Sequence, residues 1–533
     1  MRLCYVNFMI SSGCDPSKDI LELQQINASL VDEFAKKERF YESEIKFLKE
    51  QIRLLQDKIF GRKSEKFKSD SDEHQLLLFD ETAEDTTHDP DIEDTVEVPG
   101  YKRKKRGRRP LPADLPRIEV IHDLSDEEKV CFCGCHKSCI GEEVSEQLDI
   151  IPARMQVIRN IRLKYVCKNC EGVENDEPAV SIAPVPAQLI PKSIATSGLL
   201  AHVLTAKFVD ALPFYRQEKQ FIRLGVDLSR ATMCGWAMKV AEKCMPLLDL
   251  LHDEILSGPL INIDETTLKV LNEPEHRSKS YMWVFRGGAR GSPSLVYQYH
   301  ASRAGDVAAS YLRGYKGYVQ TDGYSGYDFL DRWDGIHHIA CWAHVRRKFV
   351  DVTKASSKKK RGQADKALTI IKRLYKIEKD ARALELTPEE LYTERQEKAL
   401  PILESFRVWL NQKSIQTPPK GLLGKAISYA MNQWDRLVRY TEQGFTKPDN
   451  NDAENAIRPF VVGRKNWLFS GNPEGARASA ALFSLIETAK ANELEPYSYL
   501  RYLFEKLPVA ESTEDFKSLL PQYLIPEQLK LNA

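Results

Sequence analysis

The sequence predicts an α/β protein: a mixed β-sheet core carrying an α-helical insertion, preceded by a coiled coil, a small zinc-binding module and a helical domain. Three observations carry that prediction. Between residues 259 and 341, the runs "PLINIDETTLKV", "YMWVFRG", "SLVYQYH", "KGYVQT" and "IHHIAC" are short, apolar and divided by turns and one helix-like stretch, "GDVAASYLRGY". Val31, Phe34, Tyr41, Ile45, Leu48, Ile52, Leu55 and Ile59 follow alternating three- and four-residue steps, with only Glu38 out of place. Finally, six of the 11 cysteines fall between 131 and 170, a bunching that suits metal binding better than disulfides.

Composition narrows the function. Hydrophobic residues make up 42% and charged residues 29% of the 533, ordinary for a folded soluble chain. No apolar run reaches the length of a membrane span, and the opening "MRLCYVNFMI" lacks the long core and small-residue site of a secretory signal. The 77 basic and 77 acidic side chains cancel, which excludes a uniformly basic nucleic-acid binder. The charge is segregated instead.

Along the chain, residues 1–19 read as an extension and 20–66 as a coiled coil that pairs protomers, its flanks being too polar to supply a core, the other reading being a single amphipathic helix packed on its own domain. Residues 67–110 form a linker with opposite halves. Twelve acidic residues and no Lys or Arg lie between Asp70 and Glu97, then "YKRKKRGRRPLP" places seven basic residues between 102 and 109. Arg106, Arg108 and Arg109 sit in an extended "RGRRP" suited to a narrow minor groove. In 111–185, Cys167 and Cys170 have the C-x-x-C spacing of one side of a tetrahedral Zn²⁺ site. Cys131, Cys133 and Cys135 are candidates for the other side, with a strand pair expected in "EQLDIIPARMQVIRNIRLKYV". In 186–255, "GVDLSRATMCGWAMK" fits a helix-turn-helix whose second helix is capped by Ser229 and opens with Arg230.

Residues 256–349 hold the first part of the sheet domain. Strand-strand-strand-helix-strand-helix-strand is the order of an RNase H-type mixed sheet, in which the first and fourth strands are neighbours. That would join Asp264, near the end of the first strand, to Asp322, at the end of the fourth. Two close carboxylates disfavour joint ionisation unless a cation lies between them, and hard oxygen donors suit Mg²⁺. A helical insertion follows at 350–446. Residues 447–495 return to the core with "DNNDAENAIRPFVVGRKNW", where Asn450, Glu454 and Arg458 fall one turn apart on a helix. Glu454 would complete the metal site. Arg346, Arg347, Arg458, Arg464 and Lys465 would meet a DNA backbone. His344 has two readings, a packed side chain or an auxiliary polar group near the metals. Cys341 reads as a small core residue, and Trp342 and Trp467 as packing residues or base-stacking platforms. Residues 496–533 read as a C-terminal tail.

The sequence resembles the large transposase of the bacterial insertion sequence sixty-six family, a DDE transposase. The resemblance runs through "KIFGRKSEK", "LLLFDE", "RGRRPLPADLPR", the cysteine cluster, "PFYRQEKQF", "IDETTLKV", "VQTDGYSGY", "CWAHVRRKF" and "DNNDAENAIRPFVVGRKNWLFSG". It implies that Asp264, Asp322 and Glu454 are the catalytic carboxylates. It also implies two Mg²⁺ ions, a structural Zn²⁺, the terminal inverted repeats and target DNA as partners, companion proteins of the same element, and a bacterial cytoplasmic location. The departure is a C-x-C-x-C first cluster in place of a plain C-x-x-C. The competing expectation is a transposase-derived DNA-binding protein without catalytic activity.

Overall fold

The computed structural model describes residues 16–60, 155–166, 180–274, 279–355 and 362–529. Helix α1 spans Pro16–Phe60 without a break, so it begins before the expected coiled-coil boundary. Its exposed stripe is the apolar seam read from the sequence. Ile45 at 52% is the least exposed of Val31, Phe34, Tyr41, Ile45, Leu48, Ile52 and Leu55, and Phe34 at 74% the most. A different stripe packs inward: Leu54 is buried, and Lys425 lies over the Phe47 ring at 4.7 Å.

Strands β1 (Lys164–Val166) and β2 (Val180–Ile182) form an antiparallel pair in a separate compact unit, 85–182. Of the strand pair expected within 146–166, residues 146–154 lie outside the described residues; 155–163 carry no regular secondary structure, and β1 pairs with the later β2. Cys131, Cys133, Cys135, Cys167 and Cys170 and the basic arm with Arg106, Arg108 and Arg109 lie outside the described residues.

The rest of the described chain continues with α2 (Ser197–Phe208), α3 (Phe214–Arg223), α4 (Arg230–Lys243) and α5 (Met245–Ser257). Their breaks follow local chemistry. Pro213 caps the start of α3 and Gly225, at φ +82°, ends it where a side chain would be strained. Ser229 Oγ accepts from Thr232 N at 3.2 Å, the N-cap expected for α4. These helices are not an independent domain: Leu204, Phe221, Trp236, Val240 and Leu251 belong to the same core as the sheet.

Strands β3 (Leu260–Leu268), β4 (Ser280–Ala289) and β5 (Ser292–His300) form an antiparallel meander. After α6 (Gly305–Tyr311), β6 (Gly317–Gln320) lies parallel to β3, and β7 (Ile336–Ile339) parallel to β6. The sheet order is β5-β4-β3-β6-β7. The interior strands are buried on both faces, so β4 reads as the continuous run "MWVF" and not as an alternation.

Helix α7 (Trp342–Ala355) leads into α8 (Gln363–Ala383), α9 (Pro388–Glu394), a π-helical turn (Arg395–Ala399), α10 (Leu400–Gln416), α11 (Leu422–Asn432) and α12 (Trp434–Val438). These helices enclose a second core around Trp342, Phe349, Phe406, Trp409 and Trp434. Helix α13 (Asn451–Trp467) then returns to the sheet, followed by α14 (Pro473–Ala491), α15 (Pro496–Lys506) and α16 (Thr513–Ser518). Helix α14 covers the outer edge of β5. Ser484 Oγ accepts from Tyr297 N at 2.8 Å, and Thr488 Oγ1 accepts from Leu295 N and donates to Leu295 O, satisfying groups an edge strand would leave open. Residues 496–529 are not a tail, since Tyr499, Leu503, Phe504, Leu520 and Leu524 are buried in the sheet's core.

Candidate active site

The parallel register of β3 and β6 pairs Leu260 with Tyr318, Ile261 with Val319 and Asn262 with Gln320. Two residues further on, past the end of β6, the same offset brings Asp264 level with Asp322. Asp322 is 23% exposed; its Oδ1 accepts from Tyr324 N at 2.9 Å, which turns the chain away. Tyr429 of α11 packs against Gly323, leaving no room there for a side chain.

Helix α13 supplies the third carboxylate. Glu454, in its first turn, is only 7% exposed; Arg347 Nη2 and His344 Nδ1 of α7 each stand 3.8 Å from one of its oxygens. Burial raises the Glu454 carboxyl, partly offset by Arg347 and Arg458 and reinforced by Asp449 and Asp322. Asp264 is held well above the usual carboxylate range, first by burial and then by Glu265, Glu454 and Asp322; its hydrogen bond from Glu265 N acts the other way. Asp264 therefore feels the charge of both other carboxylates, and Glu454 that of Asp322.

A buried chain of amides sets this geometry. Asn262 Nδ2 donates to both Gln320 Oε1 and Asn450 Oδ1, each at 3.0 Å. Asn450 Nδ2 donates to Ile263 O and Gln320 Nε2 to Lys447 O, both at 2.8 Å. Asn262, Gln320 and Asn450 are almost fully buried, so each bond is made where water cannot replace it. The ladder ties the N-cap of α13 to both strands that carry the aspartates. Asp452 adds ion pairs at 2.9 Å to Arg286 of β4 and to Lys447. Cys341 Sγ accepts from Asn450 N at 3.2 Å, and burial pushes its thiol well above the usual range.

A fourth carboxylate, Glu265, was not singled out in the sequence. Its side chain is 1% exposed; Arg303 reaches Oε1 at 2.5 Å, and Tyr327 donates to Oε2. The Arg303 guanidinium also stands 3.9 Å from Asp322 and 3.8 Å from the Tyr324 ring centroid. Burial raises the Glu265 carboxyl, and Tyr327 and Arg303 oppose that rise. Signals for these residues did exist. Glu265 adjoins Asp264, and the amides Asn262 and Gln320 each stand two positions before an aspartate, hence on the same strand face.

The remaining candidates are placed unequally. Asn450 caps α13 and turns to the sheet instead of joining a Glu454–Arg458 row. Arg458 is half-buried, its charge disfavoured by burial and favoured by Glu454. Arg464 donates to Thr266 and Thr267 hydroxyls at 3.1 and 3.2 Å, which aims it along β3. Arg230 is exposed at the start of α4; Arg346 lies half-buried on α7, and Lys465 near the end of α13. His344 starts α7 beside Glu454, and burial with Arg347 lowers its imidazole to about 4, so it is neutral at pH 7. Trp342 is a core residue: fully buried, its Nε1 donates to Leu437 O at 2.9 Å. Trp467 packs edge-on against Phe460.

A family profile described as "Transposase IS66 family" matches residues 192–478, the stretch that carries all three carboxylates. The chain belongs to the IS66 transposase family. Further IS66 profiles match in sequence order: "Transposase C of IS166 homeodomain" at 47–120, "zinc-finger binding domain of transposase IS66" at 128–171, and "IS66 C-terminal element" at 484–522. The chain is also similar to two uncharacterized proteins of Sinorhizobium fredii. One, y4jD, is 33% identical over 79% of this chain and 84% of its own length. The other, y4qI, is 29% identical over 90% of this chain and 89% of its own. Membership of the IS66 family implies DNA binding, and the zinc-finger profile supports a structural Zn²⁺. No helix among the described residues is long and apolar enough to cross a membrane.

Proposed function

We propose that this IS66-family chain is a DDE-class DNA transposase that cleaves and joins DNA strands at the ends of its own insertion sequence. One observation carries the reading: the β3–β6 register brings Asp264 level with Asp322, while the Glu454 carboxylate, 3.8 Å from His344 of α7, is close enough to Asp264 to help raise its carboxyl after burial and Glu265. The sheet order, with β3 and β4 antiparallel and β3 and β6 parallel, supports assigning an RNase H-like core interrupted by a helical insertion.

The donor set fits Mg²⁺. Asp264, Asp322 and Glu454 offer hard oxygens, the three repel one another, and Glu454 Oε1 is buried without a hydrogen-bond partner. When bound, Mg²⁺ supplies activation of the attacking water or 3′-hydroxyl and charge neutralisation at the leaving oxygen. The protein's part is to hold the ligands still. The amide ladder fixes α13 on β3 and β6, Glu265 and Tyr327 hold Arg303 beside Asp322, and Arg347 balances Glu454. Arg346, Arg347, Arg458, Arg464 and Lys465 contribute positive charge for a phosphate backbone, with Arg106, Arg108, Arg109 and Arg230 contacting DNA farther from the reacting phosphate. Cys167 and Cys170, with Cys135 and either Cys131 or Cys133, supply the four zinc ligands of the end-recognition module. The exposed seam of α1 pairs two copies, so that both element ends are held in one complex. Companion proteins of the element would join this complex.

The test is a labelled duplex carrying the element's terminal repeat, incubated with the protein and Mg²⁺. Nicking at the repeat boundary and joining to a second duplex, both lost in Glu454→Ala, are expected. Nicking without joining would make the protein a nuclease. Binding without cleavage by the wild type, even with companion proteins added, would leave a DNA-binding descendant of a transposase.

A further inference from the structure

Three side chains at the start of α7 and α13 form a donor set unlike the aspartate pair. Cys341 Sγ, His344 Nδ1 and Glu454 Oε1 all lie within 4.8 Å of one another. His344 Nδ1 and Glu454 Oε1 face each other at 3.8 Å, and both are buried without a hydrogen-bond partner. A buried carboxylate oxygen left without a donor is costly, and here it points at a nitrogen and a sulfur. Tetrahedral Zn²⁺, with bonds of about 2.0–2.3 Å, spaces its ligand atoms about 3.3–3.7 Å apart, so small side-chain rotations close the set. Sulfur and imidazole donors select Zn²⁺ over Mg²⁺. Cys341 stands three residues before His344, one helical turn away, and it already accepts the Asn450 N–H, a bond of the kind that steadies a thiolate ligand. Arg347, 3.8 Å from the other Glu454 oxygen, is the cation that competes for this carboxylate.

We propose that Cys341, His344 and Glu454 form a second metal site of the Zn²⁺ class, and that filling it draws Glu454 away from the aspartates and suppresses magnesium-dependent cleavage. The fourth coordination position is left to water, and the Cys341 thiol gives up its proton to solvent on binding. The binding half stands on the donor set alone. The inhibitory half rests on the role given to Glu454 above.

The test counts zinc. Full-length wild type, Cys341→Ser and His344→Gln are dialysed against micromolar Zn²⁺ and assayed by elemental analysis, with Co²⁺ substitution reporting thiolate ligands by absorption. Circular dichroism in chelator checks that each variant is folded. The wild type should hold one zinc more per chain than either variant, whose affinity at this site falls at least ~10-fold. Equal zinc content in all three would overturn the site. Cleavage is then measured in each protein as the ratio with and without Zn²⁺ at fixed Mg²⁺. A strong fall in the wild type and a weak one in Cys341→Ser are expected, and equal sensitivity would overturn the inhibitory half. If the wild type does not cleave without zinc, even with companion proteins added, the transposase reading and the inhibitory half both fail, while the zinc count still decides the site.

Discussion

Arg395 offers a sharp test of how the helical insertion supports the candidate site. Its side chain is wholly buried, and all its nitrogens are used. Nε and Nη2 meet the two Glu378 oxygens at 2.9 and 2.7 Å; Nη1 donates to Tyr440 O at 2.9 Å and Gln443 O at 2.5 Å, and Nη2 to Thr446 O at 2.9 Å. Those carbonyls belong to the strap that enters α13, and Trp342 N holds Pro448 O on the same strap at 2.9 Å. Arg395→Met would leave Glu378 charged, buried and unpaired. Breaking a buried pair from one side costs about 3–5 kcal/mol; the Thr446 carbonyl loses its Arg395 donor as well, while the Thr446 hydroxyl still reaches the Tyr440 and Gln443 carbonyls, so the middle of that range applies. A loss of about 4 kcal/mol in local opening would speed amide exchange across residues 440–454 by about 10³-fold, since each 1.4 kcal/mol is tenfold. The assay is hydrogen exchange read by mass spectrometry, with α14 as the internal control. Glu378→Leu added to Arg395→Met should recover part of the loss, because it removes the stranded charge. Exchange within threefold of wild type in the single variant would refute the reasoning.

Other predictions follow from neighbouring geometry. Asn262→Leu breaks the amide ladder at its centre, costing about 2–4 kcal/mol from stranded polar groups; a lower urea midpoint with cleavage lost more than binding is expected. Asp264→Asn should raise the metal-free melting midpoint, because Glu265, Glu454 and Asp322 no longer repel a charge there, yet abolish stabilisation by Mg²⁺. For Asp331, burial alone would raise the carboxyl, but hydrogen bonds from His338 and Arg436 bring it down to about 2. A depressed carboxyl adds stability that is present above its unfolded value, about 3.9, and lost as pH falls toward 2. The stability gap between wild type and Asp331→Asn should therefore close over that window.

Much of the site was legible because strand geometry imposes a period of two. "NID" and "QTD" each place an amide and a carboxylate on one strand face, and the parallel β3–β6 neighbours then bring the two faces into register. The helix carrying Glu454 was legible from its Asn/Asp-rich start. The role of Asn450 was not, because helical spacing puts it in a row with Glu454 and Arg458, whereas an N-cap residue turns out of that row. Glu265, Arg303 and Tyr327 meet only through tertiary packing, so no spacing announces them. Arg395 carries no local signal either, because its partners Glu378, Tyr440, Gln443 and Thr446 are distant in sequence and meet it only in the folded chain. The many polar residues of 496–529 disguised α15, which buries Leu500, Leu503 and Phe504, and the turns that bury Leu519, Leu520 and Leu524.

The central claim is that Asp264, Asp322 and Glu454 build one metal centre. Manganese paramagnetic resonance tests it directly, with zinc sites filled beforehand and an element-end duplex bound. The wild type should bind two Mn²⁺ ions, as two-metal phosphoryl transfer requires. Asp264→Asn, Asp322→Asn and Glu454→Gln should each lose at least one. Wild-type manganese binding in all three variants would contradict the account.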